Sequence, residues 1–316
     1  MNWFLKAMGF QLLGRLPGGG SCYQWAQRNI SHSLEPTEER LSQKLRVALR
    51  YYDSLQQLGW LPRLPQTTHL DLGAGWQPTL PLFFFSTGCP RQVLLDVNPV
   101  MTAELARKTA QTFRHLASQP AWQAILPAGR ISSLDRVPWA DWDQESSPLG
   151  WRYIAPYEAW LERQRDTVDW ATSTGVLLHP PRPVVEKICR LLFQALRPGG
   201  LFLGTVPLTD IFATADPHIT PYNFLRFSPW FWEHVISSPL MSYNRLRPSD
   251  YRQALESAGF HLRTFELDGV TKENEATLRK VRIHPTFRKY PAAELAATAL
   301  FFVAEKPLSS GSDPST

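Results

Sequence analysis

The chain has 316 residues, enough for one large α/β domain with additions or for two small ones. Hydrophobic residues make up 43% and charged residues 19%, which permits a sizeable core and excludes a largely disordered chain. The net charge of +5 is small for this length and lacks the clustered basic footprint of a dedicated nucleic-acid binder.

Residues 1–60 read as an N-terminal helical segment. Trp3, Phe4, Ala7, Met8, Leu12 and Leu13 recur at helical spacing, and Gly18-Gly19-Gly20 ends the run. Lys6, Gln11 and Arg15 interrupt its apolar character, and no small-residue cleavage site follows, which argues against a signal peptide. No apolar stretch reaches the ~20 residues needed to span a bilayer. This first helix reads as a packing or lid helix, with peripheral membrane contact as its alternative role. Thr37 is placed to cap a second helix, with Arg40 where a Glu would complete a capping box. Leu41, Leu45, Val47, Leu49, Tyr51, Tyr52, Leu55 and Leu58 give that helix its apolar face.

From Thr67 the pattern alternates. Strands are predicted at Thr68–Leu72, Gln92–Val97, Trp151–Ala155, Val168–Thr172, Leu201–Val206, His261–Leu267 and Ala299–Glu305. Helices are predicted at Met101–Leu116, Pro183–Leu196 and Pro248–Ala258, and a turn at Arg197-Pro198-Gly199-Gly200. Such alternation implies crossover units and a mainly parallel sheet. Residues 117–150 show no clear period. Residues 207–247 form an insertion rich in aromatics and proline, read by default as the core of a cap, with some of its aromatics lining a substrate pocket as an equally weighted alternative. The basic stretch within 272–289 reads as a solvated edge, and the polar tail 308–316 as disordered. Cys22, Cys89 and Cys189 are odd in number and form no CxxC pair, which argues against a disulfide framework or a zinc site and fits a reducing cytoplasm. No metal site is expected.

The segment Thr68-His69-Leu70-Asp71-Leu72-Gly73-Ala74-Gly75 carries a strand into a glycine turn with an acid two residues before it. Ligands of parallel α/β sheets lie beyond the carboxyl ends of the strands, where this turn falls. Glycines there let a ligand approach the backbone. The second strand ends at Asp96, where a carboxylate can accept from both ribose hydroxyls, bonds worth about 1.5–3 kcal/mol each. No arginine directly follows Asp96, which argues against a 2′-phosphate.

HLDLGAGWQP followed by VLLDVNP resembles the first two motifs of class I S-adenosylmethionine-dependent methyltransferases. DWATSTGVLLHPP, LFQALRPGGLFLGTVP, RPSDYRQALESAGF and ALFFVAEKP resemble the later ones, in order, over residues 67–206 and 246–307. The resemblance implies a Rossmann-like seven-stranded sheet, mainly parallel with an antiparallel seventh strand, within a methyltransferase domain over 61–307. It implies S-adenosylmethionine as cofactor. Asp71 would then lie by the methionine amino group, Gly73, Ala74 and Gly75 would form the turn, and Asp96 with Val97 would hold the ribose. Ser173 and Thr174 would lie at the methionine end. Tyr157 takes the place of the acid that often follows strand three, with Glu158 next. His179 stands where many members carry histidine. The third glycine of the family turn is Gln77 here, and Pro78 follows.

The expected reaction is methyl transfer to a small-molecule or lipid-like acceptor. Ser173-Thr174-Gly175-Val176 stands where amino-methylating nucleic-acid enzymes carry Asn-Pro-Pro-aromatic, which argues against DNA adenine methylation, and nucleic acid is not the expected acceptor. His179 and Tyr222 are the candidate bases, with His218 and Glu158 behind them; His179 also reads as a packed or turn-forming residue. Two other readings stand beside this one. A nicotinamide-dependent oxidoreductase would want glycine at position 78, where Pro78 stands. A non-catalytic cofactor-binding protein would keep the fold alone.

Overall fold

In the computed structural model, which describes residues 2–18, 34–144, 147–214 and 216–308, seven apolar runs form strands. They are β1 (Thr68–Leu72), β2 (Arg91–Leu95), β3 (Trp151–Ile154), β4 (Val168–Thr174), β5 (Leu196–Pro207), β6 (His261–Asp268) and β7 (Ala299–Glu305). They join in the order β3-β2-β1-β4-β5-β7-β6. β1 runs parallel to β2 and β4, and β2 parallel to β3. The register sets Asp71 opposite Leu94 and Thr172, and Leu72 opposite Leu95 and Ser173. β7 is antiparallel to β5, because Gly199 donates to the Lys306 carbonyl while Leu208 donates to that of Thr298. The four residues Arg197–Gly200 were expected as a turn but form the start of β5, since the Gly199 N–H has found a ladder partner. β1 is nearly continuous in burial, as a strand covered on both faces should be, whereas edge strand β6 is half-buried or exposed throughout.

The longer helices are α1 (Trp3–Arg15), α2 (Glu38–Gln57), α3 (Thr79–Ser86), α4 (Ala103–Ala117), α5 (Arg182–Ala195), α6 (Pro248–Ser257) and α7 (Lys272–Arg279). The Thr37 hydroxyl accepts the Arg40 N–H and so caps α2 without a completed box. Leu41, Leu45, Ala48, Tyr51 and Leu55 line its buried face. All eight residues of α3 are buried, starting directly after Pro78.

The chain divides into two compact units. One comprises Leu34–Thr174, Arg190–Leu203 and Val303–Thr316, the other Met1–Ser33, Gly175–Cys189 and Gly204–Phe302. The expected 1–60 segment is thereby shared out, with α1 in the second unit and α2 in the first. In the first unit, the stretch 117–150 supplies short helical turns at Pro120–Gln123, Ala128–Ser133 and Trp139–Asp141. Trp142 of this stretch packs edge-on against Trp151.

In the second unit, Phe212, Tyr222, Phe224, Trp232 and Tyr243 make a core with Phe287 and Leu295. Most of the aromatics of 207–247 are spent on packing. The basic stretch after β6 forms α7 and is pinned through buried Leu278 and Phe287. α1 is tied down on one face, where Trp3 N–H donates to Asp216 and the Gln11 amide to the Ser237 carbonyl. Its other face leaves Leu5 and Leu12 each 68% exposed. No helix among the described residues is long and apolar enough to cross a membrane. Residues 309–316, most of the expected disordered tail, lie outside the described residues, as do Gly19, Gly20 and Cys22.

Candidate cofactor site

Gly73 and Gly75 adopt φ of 77° and 66°, the left-handed region that glycine alone enters freely. The turn they make is latched to the end of β2. Gly73 and Ala74 both donate to the Leu95 carbonyl, at 2.8 and 3.0 Å. Gly75 N–H donates to Asp96 Oδ2 at 2.9 Å, and Asn98 N–H to Oδ1 at 3.2 Å. Each carboxylate oxygen can accept further bonds. Burial raises the Asp96 pKa, against the pull of these N–H donors. A Cβ built on Gly75 would meet nothing closer than the Gly73 carbonyl at 3.9 Å, so the turn has an open side. Val97, next to Asp96, is exposed.

Asp71 is buried at the end of a hydrogen-bonded chain. Its Oδ1 lies 2.8 Å from Thr172 Oγ1, which lies 2.8 Å from His69 Nε2; His69 Nδ1 lies 2.9 Å from Gln92 Oε1. The Gln92 amide nitrogen already donates to the Pro81 and Cys89 carbonyls, so Oε1 accepts and His69 donates from Nδ1. Three links remain to be filled by the single protons of Thr172 and neutral His69. The chain is one proton short whenever Asp71 is ionised. Burial drives the His69 pKa down to about 3, closing off the imidazolium as a remedy. Burial likewise pushes Asp71 up to about 6, while the Thr172 bond and the charge of Lys44 oppose it.

Two residues of α2 reach this region. Lys44 Nζ donates to Gln77 Oε1 at 3.3 Å, and Gln77 Nε2 donates to the Leu34 carbonyl at 2.9 Å. Gln77 thus ties the turn to the chain entering α2. Tyr51 Oη lies 3.0 Å from both the Ser173 carbonyl and Thr174 Oγ1. Ser173 Oγ is buried without a hydrogen-bond partner, as is Thr79 Oγ1. Sequence reasoning missed Lys44, Tyr51 and Gln77 as site residues. The available signal was a lysine set between Leu41, Leu45 and Ala48 on an otherwise apolar face.

Tyr157 is buried, and burial with the charges of Glu158 and Asp96 raises its hydroxyl to about 12. Glu158 itself is exposed. Asp71, Gly73, Ala74, Gly75, Asp96, Val97, Tyr157, Glu158, Ser173 and Thr174 all belong to the first unit. His179 and Tyr222 belong to the second. His179 is exposed, with Nδ1 2.8 Å from the Ser242 carbonyl. Tyr222 is fully buried and its hydroxyl donates to the Ala296 carbonyl at 2.7 Å, so both residues have local structural partners. His218 anchors the Asp216 turn through its backbone N–H. No group of three His, Cys, Asp or Glu among the described residues could hold a metal ion.

An open glycine turn beside an acid with spare acceptor capacity fits a ligand that offers hydroxyl donors, such as a ribose. No family model matches the sequence, and no curated protein does. Solved structures do match. A candidate sarcosine dimethylglycine methyltransferase from Galdieria sulphuraria is 16% identical, with TM-score 0.44, covering 87% of this chain and 92% of its own. An S-adenosylmethionine-dependent methyltransferase from Mesorhizobium loti is 15% identical, with TM-score 0.39, covering 76% and 90%. Phosphoethanolamine N-methyltransferase 2 from Haemonchus contortus is 16% identical, with TM-score 0.40, covering 76% and 49%. The strand order β3-β2-β1-β4-β5-β7-β6 with antiparallel β7 makes a Rossmann-like, mainly parallel seven-stranded sheet.

Proposed function

We propose that the chain binds S-adenosylmethionine and transfers its methyl group to a small-molecule or lipid-like acceptor. The observation that carries this reading is Asp96, held by the Gly75 N–H at the mouth of the glycine turn with acceptor capacity left for a ribose. Asp71 lies at the methionine end and Tyr157 on the adenine side. Ser173 and Thr174, at the end of β4, flank the methionine end.

The cofactor supplies the activated methyl group when bound. The chain's part is to fix the nucleoside so that the acceptor meets the methyl in line, an effect of proximity and orientation. A general base is needed only for an acceptor that keeps its proton at working pH. His179 is the exposed candidate for that role, whereas the Tyr222 hydroxyl is committed to a carbonyl. The exposed apolar face of α1, with Lys6 and Arg15 and no acidic residue, favours a lipid-like acceptor met at an anionic membrane surface. The buried thiols of Cys89 and Cys189, in no disulfide, suit a reducing cytoplasm.

Calorimetric titration with S-adenosylhomocysteine and NAD tests the cofactor, and an acceptor panel with isotope-labelled methyl tests the transfer. A folded chain that binds NAD and not the homocysteine nucleoside would favour the oxidoreductase reading. Binding with no labelled product across the panel would favour a cofactor-binding protein without catalysis. Pelleting with phosphatidylglycerol vesicles, abolished by Leu5→Glu with Leu12→Glu, tests the α1 surface; unchanged pelleting would count against it.

A further inference from the structure

We infer that the second compact unit carries a pocket for the phosphate headgroup of an anionic membrane lipid, built by Arg226, Lys280 and Arg282 beside α1. The inference rests on the membrane contact proposed for α1 and deepens it by naming the lipid group that is recognised.

The first observation is charge. Residues 278–290 hold five Lys or Arg and no Asp or Glu, which equals the +5 of the whole chain. Lys280 and Arg282 of this stretch line one side of a cavity of about 300 Å3, and His218, Thr220, Asn223 and Arg226 line the other. That volume lies at the lower end of the range of small-ligand pockets. The His284 N–H donates to the Leu225 carbonyl at 2.9 Å and so holds the two sides together. Lys280 and Arg282 take no side-chain partner among the described residues. Three permanent cations around one cavity repel each other, and a bound phosphate would relieve that repulsion.

Arg226 is held in place from the core. Its Nη1 donates to Asn223 Oδ1 at 3.3 Å, and Asn223 Nδ2 donates to Asp210 Oδ2 at 3.2 Å. Asn223 is 2% exposed, and Asp210 is fully buried. The guanidinium also lies over the Phe227 ring, 5.9 Å from its centroid. An exposed arginine is thereby oriented by a buried relay, with donors left for a bidentate bond to phosphate. The Thr220 hydroxyl accepts the Tyr222 N–H and keeps its own proton for a ligand oxygen.

The pocket is joined to α1 through Asp216. That carboxylate is buried, and it accepts the His218 N–H at 3.0 Å and the Trp3 N–H at 2.8 Å. The Trp3 ring, at the start of α1, lies 5.5 Å from the ring of Phe227, on which Arg226 rests. From there α1 exposes Leu5, Met8, Leu12 and Leu16. Trp230 adds to this apolar surface. It is 65% exposed and stacks on His234, whose carbonyl accepts from the Gln11 amide of α1. Exposed leucines and a tryptophan beside a basic pocket match acyl chains and a phosphate, the two parts of an anionic lipid. A polynucleotide would want a groove that tracks its backbone instead of a single pocket.

The test is sedimentation of the full chain with phosphatidylcholine vesicles that carry either phosphatidate or phosphatidylglycerol at matched surface charge. Phosphatidate presents a phosphomonoester, which can take a second negative charge near neutral pH; the phosphodiester of phosphatidylglycerol cannot. The native chain should bind phosphatidate at least about tenfold more tightly, the scale of one charge-assisted hydrogen bond. Arg226→Gln with Lys280→Gln should bring the two affinities within about twofold. Arg226→Lys, which keeps the charge and loses the planar fork, should lower the preference at least about threefold. Equal binding of the two vesicles by the native chain, or a preference that survives in the double variant, would overturn the inference and leave the membrane contact of α1 standing. A native chain that sediments with neither vesicle would overturn that contact, and this inference with it. Glycerol 3-phosphate and an RNA oligomer are the soluble arms. Binding of either one by a chain that ignores phosphatidate vesicles would assign the pocket to that ligand and overturn the lipid.

Discussion

Asp71→Asn should make the protein more stable at pH 8 and worse at binding its cofactor. The native carboxyl is 4% exposed, and burial raises its pKa from 3.8 to about 6. A carboxyl whose folded-state pKa is raised contributes stability below its unfolded value and loses it as pH climbs through the folded value. From 3.8 to about 6, at roughly 1.36 kcal/mol per pH unit, the ionised group costs about 3 kcal/mol above pH 6. The amide introduced by Asp71→Asn carries no such cost. It can also donate to Thr172 Oγ1, freeing Thr172 to donate to His69 Nε2, while His69 donates to Gln92. Every link of the chain then holds a proton. The lost attraction to Lys44 and the burial of a larger polar group offset part of the gain, leaving about 1–3 kcal/mol. Urea denaturation at pH 4, 6 and 8 reads this directly. The variant's advantage should be near zero at pH 4 and full at pH 8, with S-adenosylhomocysteine affinity reduced at least about tenfold. A variant less stable than the native chain at pH 8, or an advantage that does not change with pH, would refute the reasoning.

Asp96→Ala should weaken S-adenosylhomocysteine binding by about tenfold or more, by loss of the ribose bonds and of the Gly75 latch; unchanged calorimetric affinity would remove Asp96 from the site. Gln77→Gly should lower stability by about 1–3 kcal/mol in urea, because the Leu34 carbonyl and Lys44 lose their partner. A more stable variant would show that the tether is incidental. Tyr222→Phe should cost about 1–2 kcal/mol in the same assay, through the lost bond to Ala296, and leave methyl transfer to a responsive acceptor intact. Abolished transfer in a folded variant would return Tyr222 to the chemistry.

The sheet was legible because its strands are short apolar runs bounded by Gly, Pro and Asp. β1 and β7 have the boundaries that the residues alone predict. The start of β5 was not legible, because Pro198-Gly199-Gly200 is local turn chemistry that a ladder bond to Lys306 overrides. The glycine turn and Asp96 could be read from spacing. Tyr51 could not, since it reaches the site through the packing of α2, and Lys44 left only the trace of a lysine on an apolar helix face. Gln77 was visible as a departure, but its reason needed the Leu34 carbonyl and Lys44 in place. The aromatics of 207–247 could not be divided between core and pocket from sequence, and Tyr222 shows why. A buried phenol that satisfies a carbonyl and one that serves as a base have the same one-letter code.

Titration of the full chain with S-adenosylhomocysteine and, in parallel, with NAD tests the central claim most directly. The account predicts saturable binding of the homocysteine nucleoside and none of NAD. A folded chain that leaves S-adenosylhomocysteine unbound would contradict it.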